Sequence, residues 1–171
     1  ENLLLTIHQK PVMHLQQTDI FAGAEDWLPD RSIAGLTSAI LIDLAQACLQ
    51  NTSKFRGAVI ALQKQMDREP EKIMAEEILD IQSEVIALNT VVIDQLPPVE
   101  ALSASDKPFF KLKDAREYMN CALVNLQAAQ GSLSRLLDNI TSLRSGFQMH
   151  AQDQTNRRLN LLTILSAIFS P

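Results

Sequence analysis

The final third of the chain carries apolar residues at a spacing that alternates strictly between three and four. This spacing is an a/d heptad pattern, which is typical of a helix packed along one side and of no β-strand. It predicts one continuous helix over about residues 109–170. We call this set of positions the seam: Leu112, Ala115, Met119, Ala122, Leu126, Ala129, Leu133, Leu136, Ile140, Leu143 and Phe147.

Two earlier segments show the same helical period. The first is predicted over residues 33–68, with Asp30 or Ser32 as its N-cap and Pro70 just beyond its end. The second is predicted over residues 71–96, stopped by Pro97 and Pro98, because proline supplies no amide and disfavours helix in the residue before it. The predicted core positions are Leu41, Leu44, Cys48, Phe55, Val59, Leu62 and Met66 in the first, and Met74, Ile78, Ile81, Val85, Leu88 and Val92 in the second.

The short connection at Pro70 predicts an antiparallel hairpin, so the fold class is mainly α. We expect an antiparallel three-helix bundle with a very long final helix. Residues 2–8 read as a strand left from an N-terminal α/β domain. The predicted organisation is 1–30 as the end of that domain, 31–108 as the helical hairpin and 109–171 as the long helix.

The lengths of the three helices predict that the final helix outruns the hairpin. We expect the seam from about Ala129 onward to have no cover within its own chain, and its change from alanine to leucine at Leu136 and Leu143 to mark packing between chains. An uncovered apolar stripe of this kind associates with copies of itself.

The C-terminal end of the final helix changes character after a polar stretch that begins near His150. Arg157 and Arg158 form a basic collar, and residues 159–170 then read LNLLTILSAIFS, without a charge. Basic residues collect at the cytoplasmic edge of transmembrane helices, and this run is about half of the ~20 residues that cross a bilayer. We therefore expect the membrane to begin near Leu159, and the chain to be a fragment of a longer protein.

The string TNRRLNLLTILSAIFSP, at residues 155–171, resembles the start of the first transmembrane helix in the CorA-type magnesium and cobalt transporters. The matching positions are Asn156, Leu162, Thr163, Ile164, Phe169 and Pro171. The resemblance implies a homopentamer in the plasma (inner) membrane, with this fragment on the cytoplasmic side. It also implies passive transport of Mg²⁺ or Co²⁺, and the ZntB-type zinc transporters share the same architecture.

The resemblance also implies which residues line the ion pathway. It places Asn156, Leu159 and Leu162 on that pathway, with the two leucines as an apolar constriction. Helical spacing adds further candidates, and Ser170 departs from the apolar residue that usually precedes the proline. The predicted pore-lining residues are Asn156, Leu159, Leu162, Thr163, Ser166 and Ser170. Lipid-facing or close-packed helix positions are the alternative interpretation of the leucines and serines.

Acidic residues supply the other candidate chemistry. The run Asp67, Glu69, Glu71, Glu76, Glu77, Asp80 and Glu84 reads as a solvated face, or as carboxylates that concentrate hydrated divalent cations. The family's regulatory metal site uses an aspartate that falls at about Cys121, beside Asn120, in this chain. Asp114 and Glu117 are the nearest carboxylates, and the mismatch puts metal-dependent closure in doubt.

Composition narrows the function classes. The 171 residues carry a formal net charge of −5, which disfavours nucleic acid as a partner. The three histidines are scattered, and no phosphate loop, nucleophile elbow or HExxH is present, so the sequence does not predict an enzyme.

Two kinds of function remain. One is the cytoplasmic part of a CorA-type channel for Mg²⁺ or Co²⁺, with ZntB-like transport of Zn²⁺ as a variant. The other is an oligomeric coiled-coil scaffold without transport. A channel of this family should carry Gly-Met-Asn shortly after Pro171.

Overall fold

The protein is described by a computed structural model that covers residues 32–105, 110–112 and 115–169. These residues are almost entirely helical and contain no strand. The helices are α1 (Ile33–Arg68), α2 (Ala75–Ser103) and α3 (Arg116–Phe169), with a short 3-10 turn at Pro70–Lys72 between α1 and α2. The mainly α fold class is confirmed. The predicted strand at residues 2–8 lies outside the described residues.

Helix α1 begins and ends where its sequence predicts. The Ser32 hydroxyl oxygen accepts the backbone N–H of Gly35 at 3.1 Å, which is the N-cap interaction expected of serine. The helix ends at Arg68, and Pro70 then occupies the first turn of the 3-10 segment, where its missing N–H costs nothing. Ser32 is thus the cap.

Helix α2 begins at Ala75, later than the predicted residue 71. The 3-10 turn is followed by Ile73 in extended conformation, with φ −84° and ψ 134°, so the α-helix cannot start earlier. Met74 donates its backbone N–H to Glu77 Oε2 at 3.4 Å, which is half of a capping box. Met74 is consequently 59% exposed, and its assignment to the core was wrong, while Ile73 is buried.

Pro97 and Pro98 do not stop α2, contrary to the sequence prediction. The helix continues through both prolines to Ser103. The prolines remove the N–H groups that would pair with the carbonyls of Ile93 and Asp94, and all four residues are exposed, so water can hydrate those carbonyls. Leu96 and Val99 are buried on the other side of the helix, and their packing holds the backbone helical.

The chain divides into two compact units, each with segments of all three helices. The first unit combines the residues before Asn51 with Val91–Ala129, and the second combines Asn51–Thr90 with Gln130–Pro171. The core of the first unit is built largely from small residues. Its buried members are Ala34, Ser38, Ala39, Ala45, Cys48, Val92, Leu96, Val99, Phe110, Leu112, Ala115, Met119, Ala122, Leu126 and Ala129.

The second unit has a core of larger aliphatic residues. Its buried members are Thr52, Val59, Leu62, Ile73, Ile78, Val85, Leu133, Leu136, Ile140 and Leu143. The seam positions from Met119 to Leu143 are all buried, as the heptad spacing predicts, and Phe147 is half-buried. The helix itself begins at Arg116, later than the predicted residue 109, so Leu112 and Ala115 are buried in the segment before it.

The predicted loss of cover from Ala129 onward is wrong. Leu133, Leu136, Ile140 and Leu143 are 0%, 4%, 1% and 6% exposed inside their own chain. In the second unit, the part of α1 after Gln50 runs parallel to α3 and covers a matching length of it, since both helices rise 1.5 Å per residue. The change from alanine to leucine along the seam therefore does not mark a switch to packing between chains.

The two cysteines of the first unit differ in accessibility, and this gives a direct check of the packing. Cys48 is 8% exposed, and burial raises the pKa of its thiol, while Cys121 is exposed. Because the thiolate is the reactive form, we expect a maleimide to modify Cys121 at least about tenfold faster than Cys48. Mass spectrometry of timed samples would measure both rates, with denatured protein as the control. Equal rates in the native protein would contradict this core.

Candidate functional site

The end of α3 extends past the hairpin segments of the second unit. Residues 148–169, about 33 Å of helix at 1.5 Å per residue, are exposed apart from half-buried His150 and Gln154. The free segment therefore begins close to Phe147, where cover by the same chain ends. The predicted overshoot exists, but it starts later than expected.

The first part of this segment is a polar collar. The Nε2 atoms of Gln154 and His150 are 3.1 Å apart, which fits a side-chain hydrogen bond between the amide and the imidazole. Arg157 Nε lies 3.0 Å from Asp153 Oδ2, with the two side chains 78% and 56% exposed. An exposed pair of this kind contributes little to stability. Arg158 is also exposed, so two basic side chains lie just before the apolar end of the helix.

The apolar end of α3 shows large side chains to solvent. Leu159, Leu161, Leu162, Ile164, Leu165, Ile168 and Phe169 are between 49% and 79% exposed. No charged residue occurs between Arg158 and Phe169. Soluble monomers rarely expose a contiguous apolar surface of this kind, so it marks a contact with lipid or with another protein.

The predicted pore-lining residues fall mainly on one face of this helix. Asn156, Leu159, Thr163 and Ser166 follow one another at spacings of three and four. At 100° per residue, their mean direction lies about 140° around the helix from the seam of the second unit. The face is thus turned away from the hairpin that covers the seam.

One of the other pore-lining predictions, Leu162, stands apart from this face. Leu162 lies roughly 100° from Thr163 around the helix, nearer to the direction of the seam. The Thr163 hydroxyl donates to the backbone carbonyl of Leu159 at 2.9 Å, a bond made within the helix. Ser170 lies outside the described residues.

The carboxylates proposed for a metal site are not brought together. Glu117 is exposed in the first turn of α3, and Asp114 lies outside the described residues. Asn120 and Cys121 are exposed one turn further on. Among the residues that the structure covers, no three histidine, cysteine, aspartate or glutamate side chains form a group that could hold a metal ion.

Two helices in the described ranges are long and apolar enough to cross a membrane, judged by length and composition alone. They are α1 and α2, with mean hydropathies of 1.4 and 1.3 in their most apolar windows. Both helices also contribute buried residues to the two cores.

Sequence analysis missed one surface feature of the second unit. A groove between α1 and α3 brings Arg56 and Arg135 to the same opening. No spacing rule could have found it, because its two sides are far apart in the chain and meet only when the helices pack.

Comparison with known proteins agrees with the resemblance seen in the sequence. The profile of a family described as "CorA-like Mg2+ transporter protein" matches residues 1–171. No curated protein and no solved structure matches the chain.

Proposed function

The chain belongs to the CorA-like Mg²⁺ transporter family, and we propose that it forms the cytoplasmic side of a homopentameric pore for passive Mg²⁺ transport. Membership of this family by itself supports a role in divalent-cation transport across a membrane, and not in enzymatic chemistry. The ion, the number of subunits and the residues of the pathway are the parts that we propose.

The observation that carries the proposal is the uncovered end of α3. It joins a basic collar at Arg157 and Arg158 to an uncharged apolar run that starts at Leu159. Lipid is the environment in which such a surface is stable, and arginine collects at the cytoplasmic side of a span. The membrane therefore begins near Leu159, and the helical bundle stands on the cytoplasmic side of the plasma membrane.

The direction of the pore-lining face supports a ring of α3 helices. In the second unit the seam is occupied by the hairpin of the same chain, so a neighbouring copy has to use another face. The face with Asn156, Leu159, Thr163 and Ser166 is uncovered and combines one leucine with polar and small residues. Closed rings are the common form of association for identical chains, and such a ring would place this face on its axis.

The residues of this face suit a hydrated cation. Asn156 offers an amide oxygen at the cytoplasmic mouth, and Mg²⁺ prefers oxygen ligands while keeping most of its water. Leu159 forms an apolar ring that opposes passage when the ring is narrow and dry, with Leu162 beside it. Ser166 and Ser170 follow on the membrane side. Co²⁺ and Zn²⁺ are the competing ions.

Regulation by a bound metal ion has weaker support. Glu117 supplies an exposed carboxylate in the first turn of α3, Asp114 is the second proposed ligand, and scattered carboxylates suit only weak binding of a hydrated ion. We propose Mg²⁺ as the ion for this position too.

The experiment is ion uptake by the full-length protein in liposomes loaded with a fluorescent indicator. We expect uptake of Mg²⁺ driven by an inside-negative potential, inhibited by Co²⁺ and independent of a proton gradient. Uptake of Zn²⁺ alone would assign the zinc-transport variant. If the protein inserts stably into the liposomes as an oligomer but takes up none of the three ions, the transport proposal is overturned. The oligomeric coiled-coil scaffold is then the remaining function.

A further inference from the structure

The second unit separates its charges between helices. The α2 segment Ala75–Thr90 contains Glu76, Glu77, Asp80 and Glu84 and no basic residue, while the α1 segment 51–68 contains four basic residues and one acidic residue. The groove between α1 and α3 is lined by the basic α1 segment and by α3, and not by the acidic α2 segment. It measures about 390 Å³, and Arg56 and Arg135 line it without any carboxylate.

The groove offers both charge and apolar contact. Arg135 Nη2 donates to Ser132 Oγ at 3.2 Å, which holds this guanidinium on the α3 side. On the α1 side, Ile60 is 43% exposed between Arg56 and Gln63. We call this the basic groove.

The exposed side of α2 has the complementary character. The residues of this side lie about 90° or more around the helix from the buried Ile78 and Val85, and we call them the acidic ridge: Glu76, Leu79, Asp80, Ser83 and Ile86. Leu79 and Ile86 are 43% and 48% exposed, one heptad apart. The two carboxylates and two aliphatic side chains of the acidic ridge are therefore complementary, in charge and in polarity, to the two guanidinium groups and the isoleucine of the basic groove.

The basic groove and the acidic ridge lie at the same level along the helix axes of the second unit. In an antiparallel hairpin, residues at equal distances along the chain from the connection lie side by side. Counted from Glu71, in the middle of the 3-10 turn, Arg56 is level with Ile86 and Gln63 with Leu79. In a three-helix bundle the groove between two helices faces away from the outer side of the third, so the groove and the ridge point in different directions.

We infer that the basic groove of one copy receives the acidic ridge of the next copy. Such a contact is heterologous, since different surfaces of identical chains meet, and it closes into a ring when all copies stand at one height. Bidentate pairing of arginine with carboxylate fixes the register of the contact. This inference rests on the proposed homo-oligomer and names the cytoplasmic contact that builds it.

The first test exchanges the charges in the full-length protein purified in detergent. The double variant Arg56→Glu/Arg135→Glu and the double variant Glu76→Arg/Asp80→Arg should each raise the concentration at which the oligomer dissociates by at least about tenfold, because like charges would then meet in the contact. Combining all four substitutions should restore assembly. Sedimentation velocity measures the dissociation, and circular dichroism checks that each variant is folded.

The matched control is Lys64→Glu/Arg144→Glu, which makes the same change of charge at exposed residues of α1 and α3 outside the groove. It should assemble like the unaltered protein. Groove variants that assemble normally would overturn the inference, as would loss of assembly that the fourfold variant fails to restore. Binding of inorganic phosphate that depends on Arg56 and Arg135, with unchanged assembly, would assign the groove to a small anion instead.

A second test locates the contact directly. Copies with Ile60→Cys are mixed with copies with Ser83→Cys, in a background where Cys48 and Cys121 are replaced by alanine. We expect disulfides between the two kinds of copy. Disulfides only between two Ser83→Cys copies, or none in an intact oligomer, would overturn the inference. Absence of ion uptake by the unaltered protein would defeat the transport proposal without touching this contact.

Discussion

Replacing Leu133 by alanine is expected to lower the free energy of unfolding by about 2–5 kcal/mol, the range found for buried leucines whose cavity cannot collapse fully. Leu133 is 0% exposed in the second unit, at the centre of the seam. Urea unfolding followed by circular dichroism measures the change. The matched control is Met149→Ala on the same helix, 68% exposed, which should change stability by less than about 0.5 kcal/mol.

The same variant distinguishes packing within a chain from packing between chains. Because the chain buries Leu133 by itself, the loss of stability should not vary with protein concentration over a hundredfold range. A loss that disappears on dilution would mean that neighbouring copies cover the seam, since only association depends on concentration. That outcome would contradict the burial described for α3.

Replacing Leu159 by serine is expected to raise Mg²⁺ uptake on the order of tenfold. A hydroxyl at the apolar constriction lets water remain in the pathway, and removing about 1.4 kcal/mol from a barrier is worth a factor of ten. Uptake into liposomes, normalised to the amount of inserted protein, measures the effect. This prediction depends on the proposed pore-lining face.

Leu161→Ser is the matched control for that experiment. Leu161 is 62% exposed, two residues from Leu159 and therefore on a different side of the helix, outside the proposed pore. The same change of side chain there should leave uptake within about twofold of the unaltered protein, on the scale of surface substitutions. Equal increases from both substitutions, or a faster rate only from Leu161→Ser, would place the pathway on another face.

Heptad spacing predicted the α3 packing face well because burial repeats with the helix itself. Every seam position within α3 from Met119 to Leu143 is buried. Local chemistry fixed the limits of α1 as well, since the serine cap and the following proline act on neighbouring residues only. The candidate site, an apolar run after two arginines, is likewise read from residues that are close together in the chain, and its role stays a prediction.

Two of the predictions that failed depended on partners distant in the chain. Pro97 and Pro98 oppose a helix locally, yet α2 continues because Leu96 and Val99 are buried beside them. The cover of Leu133 to Leu143 depended on how far the α1 and α2 segments of the second unit reach along α3. The proposed roles of Asn156, Leu159 and Ser166 depend in turn on neighbouring copies.

The sequence by itself determined that this protein is helical, which face of α3 is buried, where its charge ends and its apolar run begins, and which family it resembles. These properties repeat along one helix or sit within a few residues, so they need no knowledge of the rest of the fold. Only the tertiary structure decided where the cover of α3 stops, near Phe147, and that Arg56 and Arg135 share a groove. Both depend on which segments lie side by side, and packing free energy, not local propensity, sets that arrangement.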